Sequence, residues 1–331
     1  MLNRSSADGA KTAGPVVVAG AHGQSLLLRV DAVPREGETV LAAGFEEPED
    51  GGKATNQAVA AAKLGAPVRL VTLLGNDERG RRWRRILEGH AIDVQFLLEA
   101  NGATDVGFVM LPPNRIPAIA SSRDLSASLD GDAVLSVRDA FTDASVVACQ
   151  LEAPQTCALE SFRLARVVGA ITILNPAPAA TLSPELISLT DILVPNEHEA
   201  AALHGSLAEP AVMASGLARR FGCAVVVTAG PLGCFVEVPG EKGRHCPAPK
   251  VQVADTTGAG DAFIGGLAAR LRAGDDLPAA AAYAATVASF SVTRHGTMPA
   301  YPTAADLAVL PADAGAGRGS GRIPAATCEP M

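Results

Sequence analysis

Apolar residues follow two rhythms along this chain. Short, nearly continuous apolar runs at 16–19, 68–74, 145–150, 170–174, 192–194 and 224–228 predict strands buried on both faces, because a half-solvated strand would alternate polar with apolar positions. Between them, Ala- and Leu-rich stretches at 54–64, 77–89, 183–189, 197–203, 211–221, 262–272 and 279–293 predict covering helices. This alternation predicts an α/β fold: a doubly wound, mostly parallel sheet flanked by helices.

Two stretches break the rhythm. Residues 26–43 and 106–120 read as extended segments, with turns at 34–37 and 112–114, and no helix follows either. They predict a small separate sheet folded over a site as a lid; a pair of surface hairpins is the plainer alternative. Residues 1–15 lack periodicity and 312–331 are rich in Gly, Ala and Pro. Both ends are expected to be unstructured tails around one domain at 16–311.

With 331 residues, 48% of them hydrophobic, the chain is long enough for one large α/β domain. A formal charge of -8 and no basic stripe argue against a nucleic-acid partner. The cationic cluster from Arg79 to Arg85 is flanked by Glu78 and Glu88 and reads as a solvated helix face. Six cysteines show no CxxC spacing, which favours reduced, buried thiols over disulfides or zinc. Residues 1–14 lack the apolar core of a signal peptide, and no apolar run reaches the roughly 18 residues that span a bilayer. The expectation is a soluble, cytoplasmic protein without a membrane partner.

The chemistry concentrates in Asp255-Thr256-Thr257-Gly258-Ala259-Gly260-Asp261, which leads into the helix predicted at 262–272. A tight Gly258-Ala259-Gly260 turn leaves N–H groups bare at a helix start, a geometry that attracts phosphate. Asp261 would abut a bound phosphate rather than neutralise it, which suits a base taking a proton from an attacking hydroxyl. Gly51-Gly52-Lys53-Ala54-Thr55-Asn56-Gln57 lets backbone approach a ligand while Lys53 and Asn56 offer donors suited to sugar hydroxyls, although a plain Gly-Gly turn before a helix has the same sequence. Asn196 and Glu199 follow a strand and sit three apart, which fits a magnesium or phosphate site and equally a helix cap. Thr228, Gly230 and Gly233 end another strand in a Gly-rich turn. A GxxxxGK[ST] loop and a GxGxxG fingerprint are both missing, which disfavours P-loop and dinucleotide-binding enzymes. These residues together point to a small-molecule kinase.

In order, these motifs resemble the ribokinase-like (PfkB-type) carbohydrate kinases. The resemblance runs from about Val16 to Thr303 through PREGETV at 34–40, the Gly-rich segment at 51–65, LNPAP at 174–178, VPNEHEA at 194–200, DTTGAGD at 255–261 and VTRHG at 292–296. It implies ATP-dependent transfer of the γ-phosphoryl group to a sugar hydroxyl, a phosphotransferase reaction with an alcohol acceptor. Asp261 matches the base, and Gly258, Ala259 and Gly260 match the anion hole. Asn196, Thr228, Gly230 and Gly233 match nucleotide positions, and Glu199 matches a residue that organises magnesium through water. Asp255 and Thr257 match positions that bind a monovalent cation, usually potassium. Gly23, Ser25, Gly52, Lys53, Asn56 and Glu152 match sugar positions. The two extended stretches match a lid that also forms a homodimer contact.

The chain departs from the family at its substrate end. Family members carry Asn and Asp where Gly23 and Ser25 stand, and the Asp grips two sugar hydroxyls. An uncharged Ser does not replace a carboxylate there, a loss worth about 1.5–3 kcal/mol. The expectation is therefore a kinase for a pentose or related sugar with ribose handicapped. The alternatives are a ketohexose, sugar-acid or nucleoside kinase, or a non-catalytic sugar-binding regulator. Only 4% of residues are aromatic, which disfavours a pocket for a nucleoside base.

Overall fold

A computed structural model describes residues 14–114, 116, 118–308 and 326–331. Most of both predicted tails lies outside the described residues. The central sheet has ten strands in the order β6 (Ile92–Asp93), β4 (Val68–Val71), β1 (Val16–Ala19), β10 (Val146–Cys149), β11 (Ile171–Leu174), β12 (Ile192–Leu193), β13 (Ala224–Thr228), β14 (Cys234–Glu237), β15 (Arg244–Cys246) and β16 (Glu329–Pro330). The first seven pair in parallel, and the last three add antiparallel strands. All six predicted apolar strands enter this sheet. The run at 68–74 is broken at Thr72, however, because its end leaves as β5 (Leu73–Gly75) to pair with β7 (Leu98–Ala100).

The helices are α1 (Gly52–Lys63), α2 (Glu78–Gly89), α3 (Gly131–Ser136), α4 (Gln155–Val168), α5 (Pro184–Ser188), α6 (Glu197–His204), α7 (Pro210–Phe221), α8 (Ala259–Arg272), α9 (Leu277–Ser291) and α10 (Ala304–Ala308). Successive residues of β1 face opposite layers. Val16 and Val18 pack into one core with α1, α8 and α9, whereas Val17 and Ala19 join a second core with α4 and α7. Burial on both faces explains why these strands read as continuous apolar runs. α4 escaped the sequence reading and covers the second face, capped by Gly169 in the left-handed region at φ 77°.

The predicted separate sheet is present. It has four strands in the order β3 (Ala42–Glu46), β2 (Gln24–Val30), β8 (Val106–Leu111) and β9 (Ala118–Ser121). The two predicted turns link β2 to β3 and β8 to β9, while β2 and β8 pair in parallel. On α2, Arg81 and Arg85 bind Glu78 in solvent as expected, but Arg79 turns inward with Trp83 to share the Gln24 side-chain oxygen.

Two expectations need correction. Cys246 and Cys328 form a disulfide, so the thiols are not all reduced; Cys149, Cys157, Cys223 and Cys234 remain free and buried. The same region corrects the C-terminal tail, because 326–331 are ordered and carry β16 onto β15. The sequence reading missed both because each partner is remote in the chain and neither segment has periodicity of its own. Pro15 is likewise tied down, its carbonyl accepting from Ser145 N–H. Among the described residues, no helix is long and apolar enough to cross a membrane.

Candidate active site

Parallel strands deliver their following loops to one edge of the sheet. There β1 leads to Gly23, β10 to Glu152, β11 to Asn175, β12 to Asn196 and β13 ends at Thr228. Opposite these loops stand the N-termini of α1 and α8. Between them lies a cavity of about 190 Å³ lined by Lys53, Asn196, Glu199, Thr228, Gly258, Ala259, Gly260 and Asp261, with Asn175 and Thr256 completing the polar wall. Eight residues singled out from sequence thus meet around one space.

The anion turn is built by Gly258, the N-cap of α8, at φ 72°. A side chain there would be strained, and its Cβ would lie 2.6 Å from Tyr301 Oη. Ala259 N–H reaches back to the Thr256 carbonyl at 3.3 Å, so it is less bare than expected. Gly260 and Asp261 N–H have no acceptor among the described residues. A Cβ on Gly260 would meet nothing within 4 Å. Its smallness therefore leaves room in the cavity rather than relieving a protein contact, which fits an anion lying against the helix end.

Asp261 is buried and held from both sides. Gln57 Nε2 donates to Oδ1 at 3.0 Å and Asn56 Nδ2 to Oδ2 at 3.3 Å. Asn56 and Gln57 lie three and four positions beyond Lys53 and therefore share its face of α1. Gln57 is itself fixed, donating to Asn175 Oδ1 at 3.3 Å and accepting from Gln150. Burial lifts the Asp261 carboxyl above the usual carboxylate range; Lys53 and the two amides pull it back, and Asp50 pushes it up again. Glu152 and Glu199 are also raised, chiefly by burial, and Lys53 opposes the rise in both. Burial pulls the Lys53 ammonium down, but Asp261, Glu152, Glu199 and Asp50 together hold it above its ordinary value.

One cation thus keeps several buried carboxyls ionisable. In Lys53→Met the carboxyls should rise further, so the acid limb of the kcat/KM profile should move to higher pH. A pH–rate profile of the residual activity checks this, and an unmoved limb would mean that Lys53 does not set the ionisation of the base.

Of the six residues matched to the sugar from sequence, Lys53 lines this cavity, and the others are tied to it, to each other or to Asp50 by close contacts. Gly52 packs where its Cβ would lie 3.3 Å from Gly23 N and 3.6 Å from Glu152 Oε2, and Lys53 N–H donates to Glu152 Oε2 at 3.1 Å. Ser25 Oγ donates to Asp50 Oδ2 at 2.6 Å. The Asn196 and Glu199 pair proves to be a complete capping box, with each side chain bonded to the other's backbone N–H at 2.9 Å. Of the two alternatives read from the sequence, the bonds show the cap of α6; the pair also lines the cavity, and Glu199 Oε1 has no hydrogen-bond partner among the described residues. Thr228 bridges to Asn196. Gly230 and Gly233 sit beyond it in a turn that does not line the cavity.

Asp255 and Thr257 lie in the loop before α8. Thr257 N–H and Oγ1 donate to Asp255 Oδ1 at 3.0 and 2.7 Å, and Gly296 N–H donates to Oδ2 at 3.0 Å. Burial opposes them, yet these bonds hold the Asp255 carboxyl below its ordinary value. Among the described residues, no group of three or more His, Cys, Asp or Glu side chains converges to hold a metal by itself. The sequence reading missed Asp50 and Gln150, and it gave Gln57 and Asn175 no role although both lie inside motifs it named. The helical spacing from Lys53 was available for Gln57; Asp50 had no motif to mark it.

A family model described as pfkB family carbohydrate kinase matches residues 23–304. Ribokinase from Mus musculus is 33% identical over 308 residues, covering 89% of this chain and 94% of that protein. A bifunctional ribokinase/ribose-5-phosphate isomerase A from Fructilactobacillus sanfranciscensis is 32% identical over 297 residues; the match covers 87% of this chain but only 54% of that longer protein. The solved structure of Arabidopsis thaliana ribokinase complexed with ribose and ATP superposes with a TM-score of 0.81 at 28% identity, covering 89% of this chain and 97% of that one. The chain belongs to the pfkB family of carbohydrate kinases, phosphotransferases with an alcohol group as acceptor. The ribokinase-like fold expected from the motifs is the one observed.

Proposed function

We propose that this protein transfers the γ-phosphoryl group of ATP to a hydroxyl of ribose or a closely related pentose. The observation that carries the reading is the placement of Asp261 at the start of α8, beside two free helix N–H groups and clamped by the α1 amides of Asn56 and Gln57. The substrate hydroxyl attacks the γ-phosphorus, its proton passes to Asp261, and the bond to the β-phosphate oxygen breaks to release ADP. Gly260 and Asp261 N–H stabilise the charge on the transferring group. A loose transition state deprotonates the hydroxyl late, so a carboxylate of modest basicity serves as base. Ribokinase relatives of similar length, one of them solved with ribose and ATP, support ribose over the ketohexose, sugar-acid and nucleoside alternatives.

Asn196, Thr228, Gly230 and Gly233 are assigned to the nucleotide, the last two at its outer edge. Gly23, Ser25, Gly52, Lys53, Asn56 and Glu152 are assigned to the sugar. A magnesium ion arriving with the nucleotide would be held through water by the free oxygen of Glu199, and would neutralise charge between the β- and γ-phosphates. A potassium ion is assigned to the Asp255–Thr257 loop. Both Asp255 oxygens already accept protein hydrogen bonds, so backbone carbonyls there would supply the remaining coordination.

The test is ATP-dependent ADP formation, with magnesium and potassium, against ribose, 2-deoxyribose, ketohexoses, sugar acids and nucleosides. Strong turnover of a pentose supports the reading. A silent panel with ADP still bound would favour the non-catalytic regulator.

A homodimer through the small sheet belongs to the same proposal. Leu41, Phe45, Phe108 and Ile119 are exposed on or beside its strands, and a bare apolar sheet with open edges is a liability in solution. Light scattering should give about twice the 33.6 kDa chain mass; a monomer at micromolar concentration would contradict it.

A further inference from the structure

One carboxylate bonded to the residues assigned to the sugar is marked by no motif. Asp50 lies in the segment joining β3 of the lid to α1, and it is half-buried. Its Oδ2 accepts from Ser25 Oγ at 2.6 Å, and its Oδ1 accepts from Asn56 Nδ2 at 2.8 Å and from Gly52 N–H at 3.3 Å. Ser25 is on β2, whereas Gly52 and Asn56 are on α1. Backbone bonds hold the same junction: Ser25 N–H donates to the Asp50 carbonyl and Gly23 N–H to the Gly51 carbonyl, each at 3.0 Å. The carboxylate thus stands where three residues assigned to the sugar converge.

We propose that Asp50 is the specificity-determining carboxylate of the sugar pocket and that it acts with Ser25 as a paired acceptor for two neighbouring substrate hydroxyls. The inference rests on the kinase reading above. A carboxylate offers about four acceptor positions. Two are taken by close bonds and a third by a longer one, so capacity remains for a hydroxyl. Ser25 has a single hydroxyl hydrogen and gives it to Asp50, so toward any substrate its oxygen acts as an acceptor. Two adjacent acceptors, one of them charged, suit two adjacent hydroxyl donors.

Asn56 adds the positional link. Its Nδ2 donates to Asp50 on one side and to Asp261 on the other. A hydroxyl pair seated on Asp50 is therefore placed in register with the base through a single amide. The longer bond, 3.3 Å to Asp261 against 2.8 Å to Asp50, shows which carboxylate orients the amide more closely.

The experiment compares wild type, Asp50→Asn and the double variant Ser25→Asp/Asp50→Asn on ribose and on 2-deoxyribose, which lacks one hydroxyl of the pair. ADP binding is measured in parallel as a control for folding. In Asp50→Asn, kcat/KM for ribose should fall about 10- to 100-fold, mostly through KM, while 2-deoxyribose should lose much less. The preference between the two sugars should therefore shrink. The double variant returns a carboxylate to the pocket from the strand side and should recover most of the ribose KM. If Asp50→Asn proves unstable, the double variant alone decides, since failure to retain a ribose preference overturns the proposal. An Asp50→Asn enzyme with unchanged ribose KM overturns it while leaving the kinase reading intact. A wild type that phosphorylates no sugar overturns both.

Discussion

Asp261→Asn should lower phosphoryl transfer by about 10²- to 10⁴-fold, the span expected for loss of a positioned general base, while ADP binds as it does to the parent enzyme. The substitution keeps the size of the side chain and the helix N–H groups, so the anion turn survives. It removes the proton acceptor and introduces a second fault. Both carboxylate oxygens face NH₂ donors, from Gln57 and Asn56, and an amide would direct its own NH₂ at one of them. Gln57 cannot turn its oxygen round freely, because that oxygen already accepts from Gln150. Single-turnover measurement of the chemical step, with ADP affinity from calorimetry, separates rate from binding. A variant within tenfold of wild type would remove Asp261 from the role of base.

Gly265→Val should be strongly destabilising although it lies outside the reacting groups. The position lies on α8 where that helix crosses α1, and a Cβ there would approach Ala60 Cβ to 2.5 Å and both Ala61 N and Gln57 O to 2.8 Å. Two of these atoms are backbone, so no rotamer relieves the overlap and the helices must separate. The expected loss is about 3 kcal/mol of stability, read as a lower denaturant midpoint, with kcat reduced because Asp261 moves away from its α1 amides. Gly260→Ala makes the contrast. Its Cβ has no neighbour within 4 Å, so folding should be untouched while turnover falls as the methyl intrudes on the anion cavity. Equal stability of the two variants would show that α1 and α8 are not in the close contact described.

The layers of the fold were legible because strands buried on both faces must be continuously apolar, as Val16–Ala19 and Val146–Cys149 are. The anion turn was legible because Gly258 and Asp261 stand in one unbroken segment whose backbone needs are written in its residue types. What escaped depended on contacts between distant segments. Asp50 gains its meaning from Ser25, 25 positions away, and Cys246 from Cys328, 82 positions away. The sequence comparison at Ser25 predicted a pocket short of a carboxylate. In space, a carboxylate stands beside that serine on a neighbouring loop, and position-by-position reading has no access to such an exchange. The Asn196 and Glu199 pair shows a different limit: a cap and a ligand site use the same residues at the same spacing, and the observed bonds establish the cap.

The roots of the small sheet bear on how water is kept from the reaction. The hairpin of β2 and β3 leaves the body of the protein at Ser25 and returns at Asp50, and these two residues are bonded to each other through side chain and backbone alike. Any closing movement of the sheet toward the cavity would bend the chain at this bonded pair, beside the residues assigned to the sugar. A pentose seated there would brace both roots at once through several hydroxyls, more contacts than a single water molecule offers. Closure would then report the presence of the true acceptor, and ATP would be spared futile hydrolysis whenever the sugar is absent.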